Sequence, residues 1–168
     1  MAGHRTPIGE DPRRALFEAL GAVRAGMLGI EGAAQHMQPM THFPDAESGT
    51  LWFITSVKTD LARVVGIGRR ARYAVIGMDH AFHASLEGAI TQSDDRAKLE
   101  ELWSSPVAAW FEGGIDDPDV CLLRFLPHEA ALWETKVGAL GFGLEMVHAN
   151  LVPGHKPDLG DHVIVRLD

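Results

Sequence analysis

The chain has 168 residues, 46% of them hydrophobic, enough to bury the core of one domain. Its formal net charge of −8 and its scattered Lys and Arg speak against a binder of nucleic-acid backbones. No run approaches the roughly 18 apolar residues of a membrane span.

Residues 1–10 read as a flexible N-terminus. Asp11 then caps a helix whose first turn accepts Pro12, where no N–H is needed, and Leu16, Phe17, Leu20 and Val23 repeat at helical spacing. Gly26 to Ile30 is a short apolar strand, and Gly32 marks a turn. Gln35 to Phe43 reads as a second strand, with Pro39 hinting at an edge or a bulge. After the polar loop Pro44–Gly49, Thr50 to Thr55 is the third strand, so the two form a hairpin. Thr59 opens a helix through about Ile67, ended by Gly66 and Gly68.

Ala71 to Met78 and Ala81 to Gln92 are the fourth and fifth strands. The fifth alternates His83, Ser85 and Glu87 against Ala84, Leu86 and Gly88. Ser93-Asp94 starts a helix carrying Ala97, Leu99, Leu102 and Trp103. A break at Ser104-Ser105-Pro106 and a short helical piece with Trp110 and Phe111 follow. Val120 to Leu126 is a strong strand, Ala130 to Glu134 is expected to be another, and His162 to Leu167 is a final candidate. Short strands at hairpin spacing with modest helices predict a mainly β fold, a small antiparallel barrel with helices outside.

The turn after the third strand carries the most chemistry. Thr55 and Ser56 end an apolar strand, and Thr59 opens the next helix. Hydroxyls beside free N–H groups at a helix start make an anion site, and an aromatic strand next to it suits a flat phosphorylated cofactor. Nine histidines invite a metal, but no pair has zinc spacing and no CxxC exists, so none is assigned; most read as surface or half-buried. The single cysteine, Cys121, reads as a small buried hydrophobe. The tight basic group Arg69-Arg70 with Arg72 reads as a solvated helix end. No serine, cysteine or carboxylate constellation for catalysis is visible.

In order, Gln38-Pro39-Met40, Leu51-Trp52-Phe53-Ile54-Thr55, Thr59-Asp60-Leu61 and Leu86-Glu87-Gly88 resemble the pyridoxamine 5′-phosphate oxidase-like split barrels. The run Asp94 to Trp103 and the segment Ala109-Trp110-Phe111-Glu112-Gly113-Gly114, followed by Asp117-Pro118-Asp119, are similar to the general stress protein 26 branch of small flavin-binding proteins. The resemblance implies an FMN-binding split β-barrel over residues 11–134, homodimeric, with 135–168 as an extension packed on the barrel or on the partner. FMN is the implied cofactor, with FAD as the alternative. Carried over by position, Pro39, Met40 and Thr41 would lie near the flavin ring. Phe53, Ile54, Thr55 and Ser56 would contact it from the third strand. Thr59 would match a phosphate-binding serine, and His83 would fall where the oxidases carry a glutamine that reaches the cofactor. Lys58, close in sequence, would substitute for a missing cation, with Arg63 and Arg69 as the alternatives in reach.

Two departures stand out. The oxidases carry an arginine where this chain has Gln38, and a basic pair where it has Asp60 and Leu61. The oxidase arrangement of a C-terminal arginine and tryptophan is also missing, which speaks against pyridoxamine phosphate as substrate. The expectation is a cytoplasmic flavin-binding protein of general stress type, with oxidoreductase chemistry on an unidentified substrate. The alternatives are a flavin-binding or sequestering protein without turnover, and a degenerate split barrel that serves as an interaction module without cofactor.

Overall fold

The computed structural model describes residues 6–135 and 160–168. The chain opens with α1 (Pro12–Ala22), β1 (Ala25–Ile30), β2 (Gln38–Thr41), β3 (Phe43–Asp45), β4 (Thr50–Ser56) and α2 (Asp60–Val65). Then come β5 (Arg69–Ile76), β6 (Phe82–Ser93), α3 (Arg96–Leu102), α4 (Ser105–Ala108), β7 (Val120–Thr135) and β8 (Gly160–Arg166). The fold is a mainly β split barrel with helices outside it.

The strands form an 8-stranded sheet in the order β2-β1-β5-β6-β7-β4-β3, with β8 also on β7. Its two end strands, β2 and β3, are consecutive in the chain and separated by His42 alone. A single residue cannot span a flat sheet, whose strands lie about 4.8 Å apart. The sheet therefore curls until its ends meet at His42, and that seam is the split of the barrel. The expected single strand Gln35–Phe43 is thus two strands that pair in opposite directions around the barrel. Thr41 faces Ala25 on β1, and Phe43 faces Trp52 on β4. Pro39 sits on an end strand, where its missing N–H removes no ladder bond on the open side.

Alternation builds the core. Leu28, Leu51, Phe53, Tyr73, Leu86 and Leu123 are fully buried from five different strands. The α1 helix starts as its sequence dictates, with the Asp11 side chain accepting from Arg14 N and Pro12 in the first turn, and it lays Leu16, Phe17 and Leu20 into the same core. Residues 6–10, expected to be loose, are held. Ile8 is fully buried, its N donates to Glu134 Oε2 at 3.1 Å, and Thr6 N donates to Glu18 Oε2 at 2.8 Å.

The expected pair of strands 120–126 and 130–134 is one strand, β7, of 16 residues. Pro127-His128 looks like a turn locally, but it is a bulge opposite β6, where the register shifts between Glu87 and Gly88. Gly88 makes this possible, because a Cβ there would lie 2.2 Å from Leu126 O. β8 continues the β4 edge of β7, pairing over Glu129–Thr135. Residues 136–159 of the expected C-terminal extension lie outside the described residues.

Arg70 and Arg72 are on β5 rather than at a helix end. Arg70 Nε is 3.3 Å from Glu31 Oε2, and Arg72 Nη2 is 2.9 Å from Glu87 Oε2. The helix expected from Ser93 starts at the cap Asp95, and α3 buries none of its residues. The α4 helix ends before Trp110 and Phe111, which were expected within it. Among the described residues, no helix is long and apolar enough to cross a membrane.

Candidate functional site

The seam opens into a cleft of about 640 Å³. One side is the seam itself, from Pro39 through His42 to Pro44. Another is the end of β4, Ile54 to Ser56, together with Thr59 at the start of α2. Pro106, Val107, Trp110 and Phe111 face these from the segment after α3, and the end of α1 supplies Val23 and Arg24. Trp110 is 86% exposed, an unusual position for a side chain of that apolar area.

Of the residues expected at a flavin, Pro39, Met40, Thr41, Ile54, Thr55, Ser56 and Thr59 line this cleft. Phe53, Lys58 and His83 do not. Phe53 is fully buried in the barrel with its ring 5.2 Å from that of Tyr73. Successive strand residues point to opposite faces, so Phe53 takes the core and Trp52 the outside. There Trp52 is covered by Lys98 and Arg124, each 5.9 Å from its ring, and its Nε1 is buried without a partner among the described residues. Lys58 is paired with Asp119, which holds its ammonium pKa above the ordinary value. His83 lies on the outer face of the sheet between Ile76 and Trp133.

The hydroxyl turn is present but largely satisfied by its own backbone. Thr59 Oγ1 donates to Ser56 O at 2.8 Å and accepts from Ala62 N at 3.2 Å, the geometry of an N-cap. Ser56 Oγ accepts from Lys58 N at 3.1 Å. Among the described residues, Thr55 Oγ1 has a single hydrogen-bond partner, Thr59 Oγ1 at 3.4 Å. The cations nearest in sequence are also engaged, Arg63 with Asp60 at 3.1 Å and Arg69 Nε with Val64 O at 3.2 Å.

His42 is the residue that the sequence reading placed least well. It is 4% exposed rather than half-buried or at the surface. Its Nε2 is 2.8 Å from Leu20 O, which only accepts, so Nε2 carries the proton of the neutral ring. Nδ1 is then an acceptor, 2.6 Å from the Tyr73 hydroxyl. That hydroxyl also reaches Met40 O at 2.9 Å, so one phenol proton serves two acceptors at the seam. Burial lowers the His42 pKa from 6.5, an effect the Leu20 carbonyl offsets in part, and burial raises that of Tyr73. No sequence signal marked this role, because His42 lies inside a stretch that reads as one strand, Gln35 to Phe43.

Cys121 is buried beside Thr55 in register, and burial pushes its thiol pKa up to about 11, the state of an unreactive side chain.

The sequence matches the family described as pyridoxamine 5′-phosphate oxidase like over residues 11–158. A candidate general stress protein 26 of Jannaschia sp. CCS1 is 38% identical and superposes with a TM-score of 0.74, over 90% of this chain and 95% of that one. The general stress FMN/FAD binding protein of Xanthomonas citri is 35% identical, with a TM-score of 0.68 over 73% of this chain and 88% of its own. A candidate general stress family protein of Xanthomonas campestris pv. campestris is 34% identical, with a TM-score of 0.70 over 79% and 92% of the two chains. No curated protein matches the chain.

Proposed function

We propose, because the chain belongs to the pyridoxamine 5′-phosphate oxidase-like family and to its general stress protein 26 branch, that it binds a flavin, FMN or FAD, in the cleft at the barrel seam. One observation carries this reading. The seam brings Pro39, Met40 and Thr41 against Ile54, Thr55 and Thr59 around one space of ligand size. The residues there suit the group. Met40, Ile54 and Val107 offer apolar surface to a flat ring, Trp110 offers an aromatic face, and Thr55 offers a hydroxyl not used in capping. The Xanthomonas citri protein, described as FMN/FAD binding, supports a flavin over other flat ligands.

A bound flavin supplies reversible electron transfer, and the protein's part is to bind and orient it. On this reading the molecule is a cytoplasmic flavoprotein with oxidoreductase chemistry. Sequestration without turnover is the second reading. It is favoured by the lack of any carboxylate or thiol among the described cleft residues to act on a substrate.

The proposal includes a homodimer joined through the outer face of the sheet. In support, Ala74, Ser85 and Ala131 form one cross-strand row of small residues there, with Met27 and Ile164 at its ends. Met27 and Ile164 are exposed, as are Ile76 and Trp133 in the neighbouring row. His83 sits in that second row, so its cofactor role belongs to the dimer and not to the cleft of its own chain. Sedimentation at micromolar concentration is expected to give a dimer, and monomer alone would count against it.

The visible spectrum of the purified protein, before and after adding FMN or FAD, tests the flavin. Bands of oxidised flavin retained through gel filtration are expected. A colourless protein that leaves the fluorescence of added flavin unquenched overturns the reading and leaves the interaction module.

A further inference from the structure

The chain carries 23 Asp and Glu against 15 Lys and Arg. Residues drawn evenly from such a chain would bring several carboxylates to any large cleft. The cleft at the seam has none among its described lining residues, and it has one permanent cation, Arg24. The sign of the charge lining this cleft is thus opposite to that of the whole molecule. Low-dielectric walls strengthen such a field.

Arg24 stands between the end of α1 and the start of β1. Its side chain is exposed and makes no ion pair or hydrogen bond with any described residue. That contrasts with the other nearby cations. Lys58, Arg63 and Arg69 are each held by Asp119, Asp60 and Val64 O. The Thr59 hydroxyl is committed in both directions. At the α2 turn an anion would meet the backbone N–H groups of a 6-residue helix but no uncommitted side-chain cation nearby, whereas at Arg24 it would meet a guanidinium without a described partner and with donors suited to a phosphate.

We infer that Arg24 is the residue that recognises the anionic group of the cleft ligand, so that a phosphate monoester on a flat heteroaromatic ligand is read from the α1–β1 corner and not from the α2 turn. This rests on the flavin reading, with FMN as the ligand. The missing cations at Gln38, Asp60 and Leu61 are then replaced by one from a different element.

FMN and riboflavin differ by the phosphate alone, so their affinity ratio isolates the contact. Fluorescence-quenching titrations with both ligands are made on the wild-type protein and on Arg24→Gln, Arg24→Lys and Lys58→Gln. The wild type is expected to prefer FMN. Arg24→Gln is expected to weaken FMN roughly tenfold to a hundredfold, the effect of one charge-assisted hydrogen bond, while riboflavin affinity stays the same. Arg24→Lys is expected to restore part of the preference, and Lys58→Gln to leave it unchanged. Unchanged riboflavin binding also shows that the variant is folded. An FMN preference that survives in Arg24→Gln, or an equal loss for both ligands, overturns the role of Arg24 while the flavin site stands. A wild-type protein that binds neither ligand overturns the flavin reading and this inference together.

Discussion

His42 Nδ1 and the Tyr73 hydroxyl lie 2.6 Å apart and join the seam of the barrel to β5 in its wall. The pair is buried, and its remaining polar atoms are spoken for by Leu20 O and Met40 O. A buried polar group left unpaired costs about 1–3 kcal/mol, so each member depends on the others. The network ties three elements that are otherwise joined by apolar packing: the end of α1, the β2–β3 seam and β5.

Removing the phenol hydroxyl tests this link. Tyr73→Phe keeps the ring and its edge contact with Phe53 but leaves His42 Nδ1 and Met40 O sharing no donor from β5. A loss of about 1–3 kcal/mol is expected in equilibrium urea unfolding, with an unchanged denaturant slope. A loss within experimental error would mean that the seam closes without the network.

The same histidine makes stability depend on pH. Its folded pKa lies below the ordinary 6.5, so the unfolded chain takes up a proton more readily than the folded one. The contribution is complete above 6.5 and is lost as the pH falls from 6.5 through the lower folded pKa. The carboxylates Glu18, Asp45 and Asp117, also lowered, act further down, below their ordinary values near 4. A melting temperature that is flat above pH 7 and falls between pH 6.5 and 5 is expected, with the fall reduced in His42→Gln. An identical profile in that variant would assign the fall to other groups.

The two threonines of the turn separate by role. Thr59→Ala removes the N-cap of α2 and is expected to lower stability by about 1 kcal/mol. Thr55→Ala removes a hydroxyl with no backbone partner, so its stability should change by less than about 0.5 kcal/mol and its effect should appear in flavin affinity instead. Equal flavin affinity in wild type and Thr55→Ala would take that hydroxyl out of the site.

Gly88→Ala is expected to be among the more damaging single substitutions. Its Cβ would lie 2.2 Å from Leu126 O and 2.5 Å from Pro127 Cα, backbone atoms that cannot swing aside. Either β6 and β7 separate at the bulge or the strain is held, at about 1–3 kcal/mol or more. Thermal unfolding measures the effect, and a variant as stable as wild type would show that the bulge can shift along β7.

Much of the fold is legible in the residues because it depends on local rules. Asp11 and Pro12 start α1, Thr59 caps α2, and the alternation through Leu86 marks β6. Pairing is not local. Nothing in Gln38 to Phe43 says that the chain changes sheet edge at His42, because both halves read as the same strand. Pro127-His128 carries the signature of a turn, and only the opposing glycine on β6 absorbs it as a bulge. The hydroxyls of the anion turn were visible, but their engagement with Ser56 O and Ala62 N was not, since capping and anion binding ask for the same residue types. Arg24 gave no signal at all, being a single cation at a helix end whose meaning comes from what surrounds it.

The one-residue joint at His42 also bears on solubility. An open β-sheet has two free edges, and each is a template for another chain to pair with. Here the edges are tethered to each other through a single amino acid, so the entropy needed to bring them back together after a fluctuation is near the minimum for any loop. When the barrel loosens, the two end strands stay within one residue of each other, so the seam re-forms at very high effective concentration. The outer edges of β2 and β3 pair with no described strand, and each carries a proline, Pro39 and Pro44, whose missing N–H makes it a poor template for another chain.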